Sequence, residues 1–172
     1  MLRDHHVQKG PSFPKPLDMS VDALAGEVTW RETKDGKQEV KTEHIDLPPD
    51  LANGIVSAVL ESFPPRANEM KVSYLAATPK PRVVSLSIRP DGDDRFSVGG
   101  LRRGATRFNV HIELGGVAGL IAPVIGKQPS DIQIWVTNDE VRTVLRLEGA
   151  LYDQGPIWTM ELTSPVWSRA RQ

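Results

Sequence analysis

Histidine and acidic side chains are the groups in this 172-residue chain that could bind a metal ion or transfer a proton. His111 and Glu113 lie two positions apart in an alternating segment, so they share one face of a predicted strand and could act as neighbouring metal ligands. His5 and His6 are adjacent and would point to opposite faces of a strand, and His44 belongs to a different segment. Because no third ligand is apparent, the spacing favours histidines on a solvated sheet face, and we predict neither a metal nor another cofactor.

Two further segments contain the groups of a ligand site without the complete motif. Asp91, Asp93 and Asp94 resemble the start of a calcium loop, but the spacing and the terminal glutamate of an EF-hand are missing. Residues 99–104 (GGLRRG) combine glycine with arginine, yet they lack the Gly-Lys-Ser/Thr of a phosphate loop and precede a strand rather than a helix. The chain also has no cysteine and no G-x-S-x-G elbow. The residues therefore identify no catalytic group, and we do not expect an enzyme.

The tryptophans are the strongest candidates for a binding surface. Trp135 lies on a predicted strand face that otherwise carries polar side chains, and a large aromatic ring in that position is typical of a contact surface. Residues 115–126 (GGVAGLIAPVIG) are apolar or small but too few to cross a bilayer. Ordinary packing and a self-association surface are the alternatives to binding. We predict a site for an apolar ligand that is lined by Trp30, Trp135, Leu120 and Ile121.

Alternation of apolar and polar residues predicts the β-strands that must position these groups. The clearest case is 106–114 (TRFNVHIEL), where apolar and polar residues alternate without a break from Arg107 to Leu114. Asp-Gly pairs at 35–36 and 91–92 predict tight turns, and the first of them joins the two strands of a hairpin. The same patterns predict further strands at 27–33, 38–46, 69–77, 82–89, 95–98, 131–137, 141–150 and 156–163.

One main helix is predicted, at residues 50–62. Leu51, Ile55, Val59 and Phe63 recur at intervals of four, and Pro64 ends the pattern. Residues 1–26 contain several prolines and predict an irregular N-terminal connector, with a short strand at 2–7 as an alternative for its first part. The length suits a single β-rich domain over residues 1–172. We therefore predict the α+β class, with a curved antiparallel β-sheet, a half-barrel in meander order, wrapped on one main α-helix.

The overall composition is that of an ordinary globular domain. Charged residues make up 25% of the chain and hydrophobic residues 39%, with a formal net charge of -1. This balance gives no electrostatic reason to expect nucleic-acid binding. No apolar run reaches the length of a transmembrane segment, and the first residues do not form the apolar region of a signal peptide.

Several longer segments resemble a family of uncharacterised exported proteins from acidobacteria and related soil bacteria. The segments are 4–18 (DHHVQKGPSFPKPLD), 41–54 (KTEHIDLPPDLANG), 77–90 (ATPKPRVVSLSIRP), 112–136 (IELGGVAGLIAPVIGKQPSDIQIWV) and 148–167 (EGALYDQGPIWTMELTSPVW). The resemblance implies a periplasmic or secreted protein and a β-rich N-terminal part that this chain lacks; it carries over no catalytic residues. The order of hairpin, helix and meander is also similar, at the level of the fold alone, to the open half-barrels of bacterial lipoprotein carriers.

Two functions are compatible with these patterns. The first is a non-enzymatic half-barrel of the bacterial envelope that binds an apolar small molecule or a lipid. The second is a structural or interaction protein that self-associates through an exposed sheet edge, as a homodimer, because a sheet without its front strands has an unpaired edge that can pair with another chain.

Overall fold

The computed structural model describes residues 1–34, 37–78, 80–98, 101–115, 128–152 and 154–163. Within these ranges the chain forms β-strands and a single short helix, α1, at Val56–Glu61. The strands are β1 (Arg3–Gln8), β2 (Leu17–Asp22), β3 (Glu27–Lys34), β4 (Lys37–His44), β5 (Met70–Ala76), β6 (Arg82–Val98), β7 (Leu101–Glu113), β8 (Ile132–Thr137), β9 (Val144–Ala150) and β10 (Ile157–Glu161).

The strands form two antiparallel sheets rather than one. The four-stranded sheet has the order β1-β2-β3-β4, and the six-stranded sheet has the order β10-β9-β8-β7-β6-β5. Within each sheet consecutive strands pair, whereas β4 and β5 lie in different sheets and do not pair. The predicted α+β half-barrel wrapped on one main helix is wrong, because the described structure is nearly all β and its two sheets are separate.

The helix is much shorter than the 13 or so residues that the apolar spacing predicts. Leu51 instead forms a bridge with Ser73 of β5, and the Ala52 amide donates a hydrogen bond to the Ser73 carbonyl over 2.8 Å. Gly54 then turns the chain with a φ of 71°, and α1 begins two residues later. The edge of β5 thus competes with the helix for the same backbone groups. Within the described residues, no helix is long and apolar enough to cross a membrane.

The N-terminal residues 1–26 hold two strands where the prolines indicate an irregular connector. β1 and β2 pair antiparallel, with His5 opposite Ser20. The prolines fall in the connection between the strands, where the missing amide donors cost no ladder hydrogen bonds. Met19 and Val21 on β2 are buried, and these two alternate side chains anchor the hairpin on the protein.

The predicted turn at the second Asp-Gly pair is a bulge inside a long strand. β6 runs without a break through these residues, and its register with β7 shifts between Pro90 and Asp93. Gly92 has a φ of 119°, which an L-residue rarely adopts, so it supplies the local irregularity. The strands predicted at 82–89 and 95–98 are therefore one strand.

Two apolar cores hold the sheets in place. One face of the six-stranded sheet packs against α1 and the segment that follows it, with the rings of Phe63 and Phe108 in contact at a centroid distance of 4.9 Å. The four-stranded sheet has its own core, in which Met19, Val28 and Trp30 pack with Leu51 and Leu75. Leu75 belongs to β5, so this second core joins the two sheets.

Candidate functional site

The residues predicted to line an apolar site lie apart in the structure. Trp30 is buried in the core that joins the two sheets. Trp135 is buried in a separate small cluster with Ala105 and Leu145. Leu120 and Ile121 fall outside the described residues. The two tryptophans therefore do not line one cavity, and each packs within its own cluster.

Trp135 is covered by charged neighbours. The Arg146 guanidinium lies over its ring at 5.1 Å from the centroid, and the indole Nε1 donates a hydrogen bond to Asp94 Oδ2 over 2.7 Å. Arg146 also pairs with Glu148 and, at 3.1 Å, with Glu161. Only 6% of Trp135 is exposed, so the ring does not offer an open contact surface.

The histidine and acidic candidates are engaged in separate pairs with other residues of the six-stranded sheet and its loops. His111 Nδ1 lies 2.6 Å from Asp131 Oδ1, whereas Glu113 accepts a hydrogen bond from Lys71 Nζ over 2.7 Å. This hydrogen bond with Glu113 raises the pKa of Lys71. His111 and Glu113 thus share a face, as their spacing predicts, but have different partners. No cluster of three or more potential metal ligands is found among the described residues.

The acidic segment that resembles a calcium loop belongs to a strand, as does the described part of the glycine-rich segment. Arg107 Nε donates to Asp91 Oδ2 over 3.2 Å, and Thr106 Oγ1 donates to Asp93 Oδ1 over 2.8 Å. Because these carboxylates lie on β6 and pair with β7, they join two strands of the sheet. In the glycine-rich segment, Gly99 and Gly100 fall outside the described residues, and residues 101–104 are the start of β7.

The edge of the six-stranded sheet at β5 is closed by a buried side chain. Asn53 donates through Nδ2 to the Leu75 carbonyl over 3.0 Å and accepts through Oδ1 from the Leu75 amide over 2.8 Å. The side chain thus pairs with the backbone as a neighbouring strand would. Only 2% of Asn53 is exposed, so no further strand can pair at this position.

The edge of the four-stranded sheet at β4 is open. In the described part of the chain β4 pairs with β3 on one side and has no strand on the other. All eight of its residues are exposed, on both faces of the strand. Val40, in the middle of the strand, is 63% exposed. A row of backbone donors and acceptors is therefore available to another strand.

Side-chain hydrogen bonds connect the four strands of this sheet on one face. Asp18 of β2 accepts a hydrogen bond from Arg31 of β3 over 2.6 Å and lies 2.9 Å from His5 Nε2 of β1. The hydrogen bond with His5 and the positive charge of Arg31 lower the pKa of Asp18. Thr29 and Thr42 share a hydroxyl hydrogen bond of 2.9 Å between β3 and β4. These hydrogen bonds join β4, the strand at the open edge, to the rest of its sheet.

Charge alternates along one face of β4. Lys37, Glu39, Lys41 and Glu43 occupy every second position, and Gln38, Val40, Thr42 and His44 occupy the other face. Sequence reasoning places a strand here but does not identify it as a site. The signal was present in the polar residues on both faces, which are typical of a strand that no layer covers.

Comparison of the chain with family models, with curated proteins and with solved structures finds no match.

Proposed function

We propose that this protein is a non-enzymatic interaction protein that self-associates by extending its four-stranded sheet at β4. The observation that carries the proposal is the exposure of β4 along its whole length beside an unpaired backbone edge. Strand addition satisfies such an edge with main-chain hydrogen bonds and reads the alternate side chains for specificity.

The comparison with the other outer strands supports this choice of edge. β5 is closed by Asn53. The last residue of β1 contacts the residue that follows β9, because Gln8 Nε2 donates a hydrogen bond to the Leu151 carbonyl over 2.6 Å. β10 is five residues long, whereas β4 has eight. β10 is the rival edge, since Ile157 is 57% exposed.

The wild-type protein is expected to form a dimer at high micromolar concentration, measured by sedimentation velocity and by native mass spectrometry. A single strand pair is a small interface, so a weak complex is expected. Val40→Lys places like charges close together at the middle of the paired edge and should return the protein to the monomer. Because Val40 is exposed, the fold itself should keep its stability.

Ile157→Lys is the matched control. It makes the same β-branched-to-lysine change at a similarly exposed position of the other open edge. The proposal requires this variant to remain a dimer. A monomeric wild-type protein would overturn self-association. If Ile157→Lys dissociates the dimer and Val40→Lys does not, the interface lies at β10 rather than at β4.

Binding of an apolar ligand has one observation in its favour. A groove of about 240 Å³ beside the end of α1 is lined both by apolar residues and by polar ones, among them Phe63, Pro64, Pro90, Phe108, Asp93, Thr106 and Arg142. The same native mass spectra test it, because a retained lipid-sized mass would support a bound ligand. In this second proposal the protein binds an apolar small molecule or a lipid in the periplasm or outside the cell, the location that the family resemblance implies.

A further inference from the structure

We propose that the partner of β4 is the β4 strand of a second copy, paired antiparallel about a twofold axis at Val40. This inference rests on the proposed self-association and adds its register and its recognition code. The result is one continuous sheet in which β4 of each copy lies at the centre and the two β1 strands lie at the ends.

Symmetry restricts the registers that two identical strands can adopt. An antiparallel pair of identical edges is related by a twofold axis normal to the sheet, so the same face of each copy lies on the same side. Residues that are directly opposite must then belong to the same face of the strand. The twofold axis therefore passes between a residue and its own copy.

With Val40 on the axis, opposite charges meet along the whole charged face. Lys37 lies opposite Glu43 of the second copy, and Glu39 lies opposite Lys41; the twofold repeats both pairs in the other direction. On the other face Val40 meets Val40, and Gln38 meets Thr42. Directly opposite charges of opposite sign stabilise a strand pair, and like charges destabilise it.

The neighbouring registers lack this complementarity. If Glu39 lies on the axis, it meets Glu39 of the second copy, and Lys37 meets Lys41. If Lys41 lies on the axis, it meets Lys41, and Glu39 meets Glu43. Both shifts set like charges opposite each other, so the charge pattern selects the register centred on Val40.

Disulfide cross-linking tests the register directly, because the chain has no cysteine of its own. In Val40→Cys the two new thiols lie on directly opposite residues, about 4.5–5.5 Å apart at Cα, within reach of a disulfide. The full-length variant should form a covalent dimer under mild oxidation. In Gln38→Cys, the matched control on the same face, the two thiols lie roughly 13 Å apart, and cross-linking should be lost.

Charge exchange tests the recognition code. Lys37→Glu with Lys41→Glu makes the face of β4 wholly acidic, and Glu39→Lys with Glu43→Lys makes it wholly basic. Each double variant should self-associate about tenfold or more weakly than the wild type, because every charged pair becomes repulsive. An equimolar mixture of the two should form a 1:1 heterodimer, and uniform ¹⁵N labelling of one variant lets native mass spectrometry distinguish this heterodimer from the two homodimers by mass.

The outcomes separate the two proposals. If the wild type is a dimer but Gln38→Cys cross-links strongly, this register is wrong while self-association through the β4 edge stands. The same conclusion follows if the acidic and basic double variants form no heterodimer when mixed. A wild-type monomer would overturn the proposed function itself. Cross-linking of Val40→Cys but not of Gln38→Cys, together with heterodimer formation in the mixture, supports both the self-association and its register.

Discussion

Replacing Phe108 with alanine should lower the free energy of unfolding by about 3–5 kcal/mol, as for other fully buried phenylalanines. The ring is 1% exposed on the packed face of the six-stranded sheet. It touches Phe63 with ring centroids 4.9 Å apart, and the Arg142 guanidinium lies 5.8 Å from its centroid. The truncation removes the central contact between the sheet and the segment that follows α1. Urea unfolding monitored by circular dichroism measures the change.

Phe13→Ala is the control for this substitution. Phe13 is only partly buried, in an edge-to-face contact with Tyr152 at 5.7 Å, outside the two larger cores. Its truncation should cost clearly less than that of Phe108. Equal losses in the two variants would show that the packed face of the six-stranded sheet is not the main core.

Asn53→Ala is expected to destabilise the protein by about 2–4 kcal/mol, because it leaves two buried backbone groups unpaired. Leu75 is 0% exposed, and its amide and carbonyl both bond to the Asn53 side chain. Alanine cannot replace either hydrogen bond, and water has no access to the site. The substitution also opens the β5 edge that Asn53 closes. The same urea titration measures the loss.

Asn68→Ala supplies the comparison, since Asn68 is exposed and a surface asparagine should tolerate alanine within about 0.5 kcal/mol. If Asn53→Ala unfolded at the same urea concentration as the wild type, the pairing of Asn53 with Leu75 would have no energetic role. Increased aggregation of Asn53→Ala would agree with a newly opened edge at β5.

The strands were predictable because their evidence is local. The alternation from Arg107 to Leu114 identifies most of β7, and the strands predicted at 27–33 and 38–46 correspond to β3 and β4; the Asp-Gly pair at 35–36 lies outside the described residues. The same kind of pair at 91–92 predicts a turn but produces a bulge. There the pairing of β6 with β7 continues on both sides of Gly92, and it overrides the local preference of the dipeptide.

The helix and the division into two sheets depend on contacts that a local pattern does not contain. An apolar residue at every fourth position also suits a bridge to a sheet edge at Leu51, followed by a turn and a short helix. Leu51 packs between the sheets, whereas Leu60 packs on the other side, in the core of the six-stranded sheet. The hydrogen bond between Ala52 and Ser73 decides between the two arrangements, and it joins residues of separate elements.

The binding surface predicted around Trp135 also depends on contacts between strands that a local pattern does not contain. Its face is polar, as the alternation predicts, but Arg146 on the adjacent strand covers the ring. The charges of β4 were equally visible in the sequence. Their meaning depends on β4 being the last strand of its sheet, and strand order is a property of the whole fold.

Amide hydrogen exchange of β4 as a function of protein concentration tests self-association through this edge most directly. If two copies pair at β4, the amides of Lys37–His44 that face away from β3 should become protected as the concentration rises, while β10 exchanges at a constant rate. Exchange of β4 that is independent of concentration, or protection that appears at β10 instead, would contradict the account.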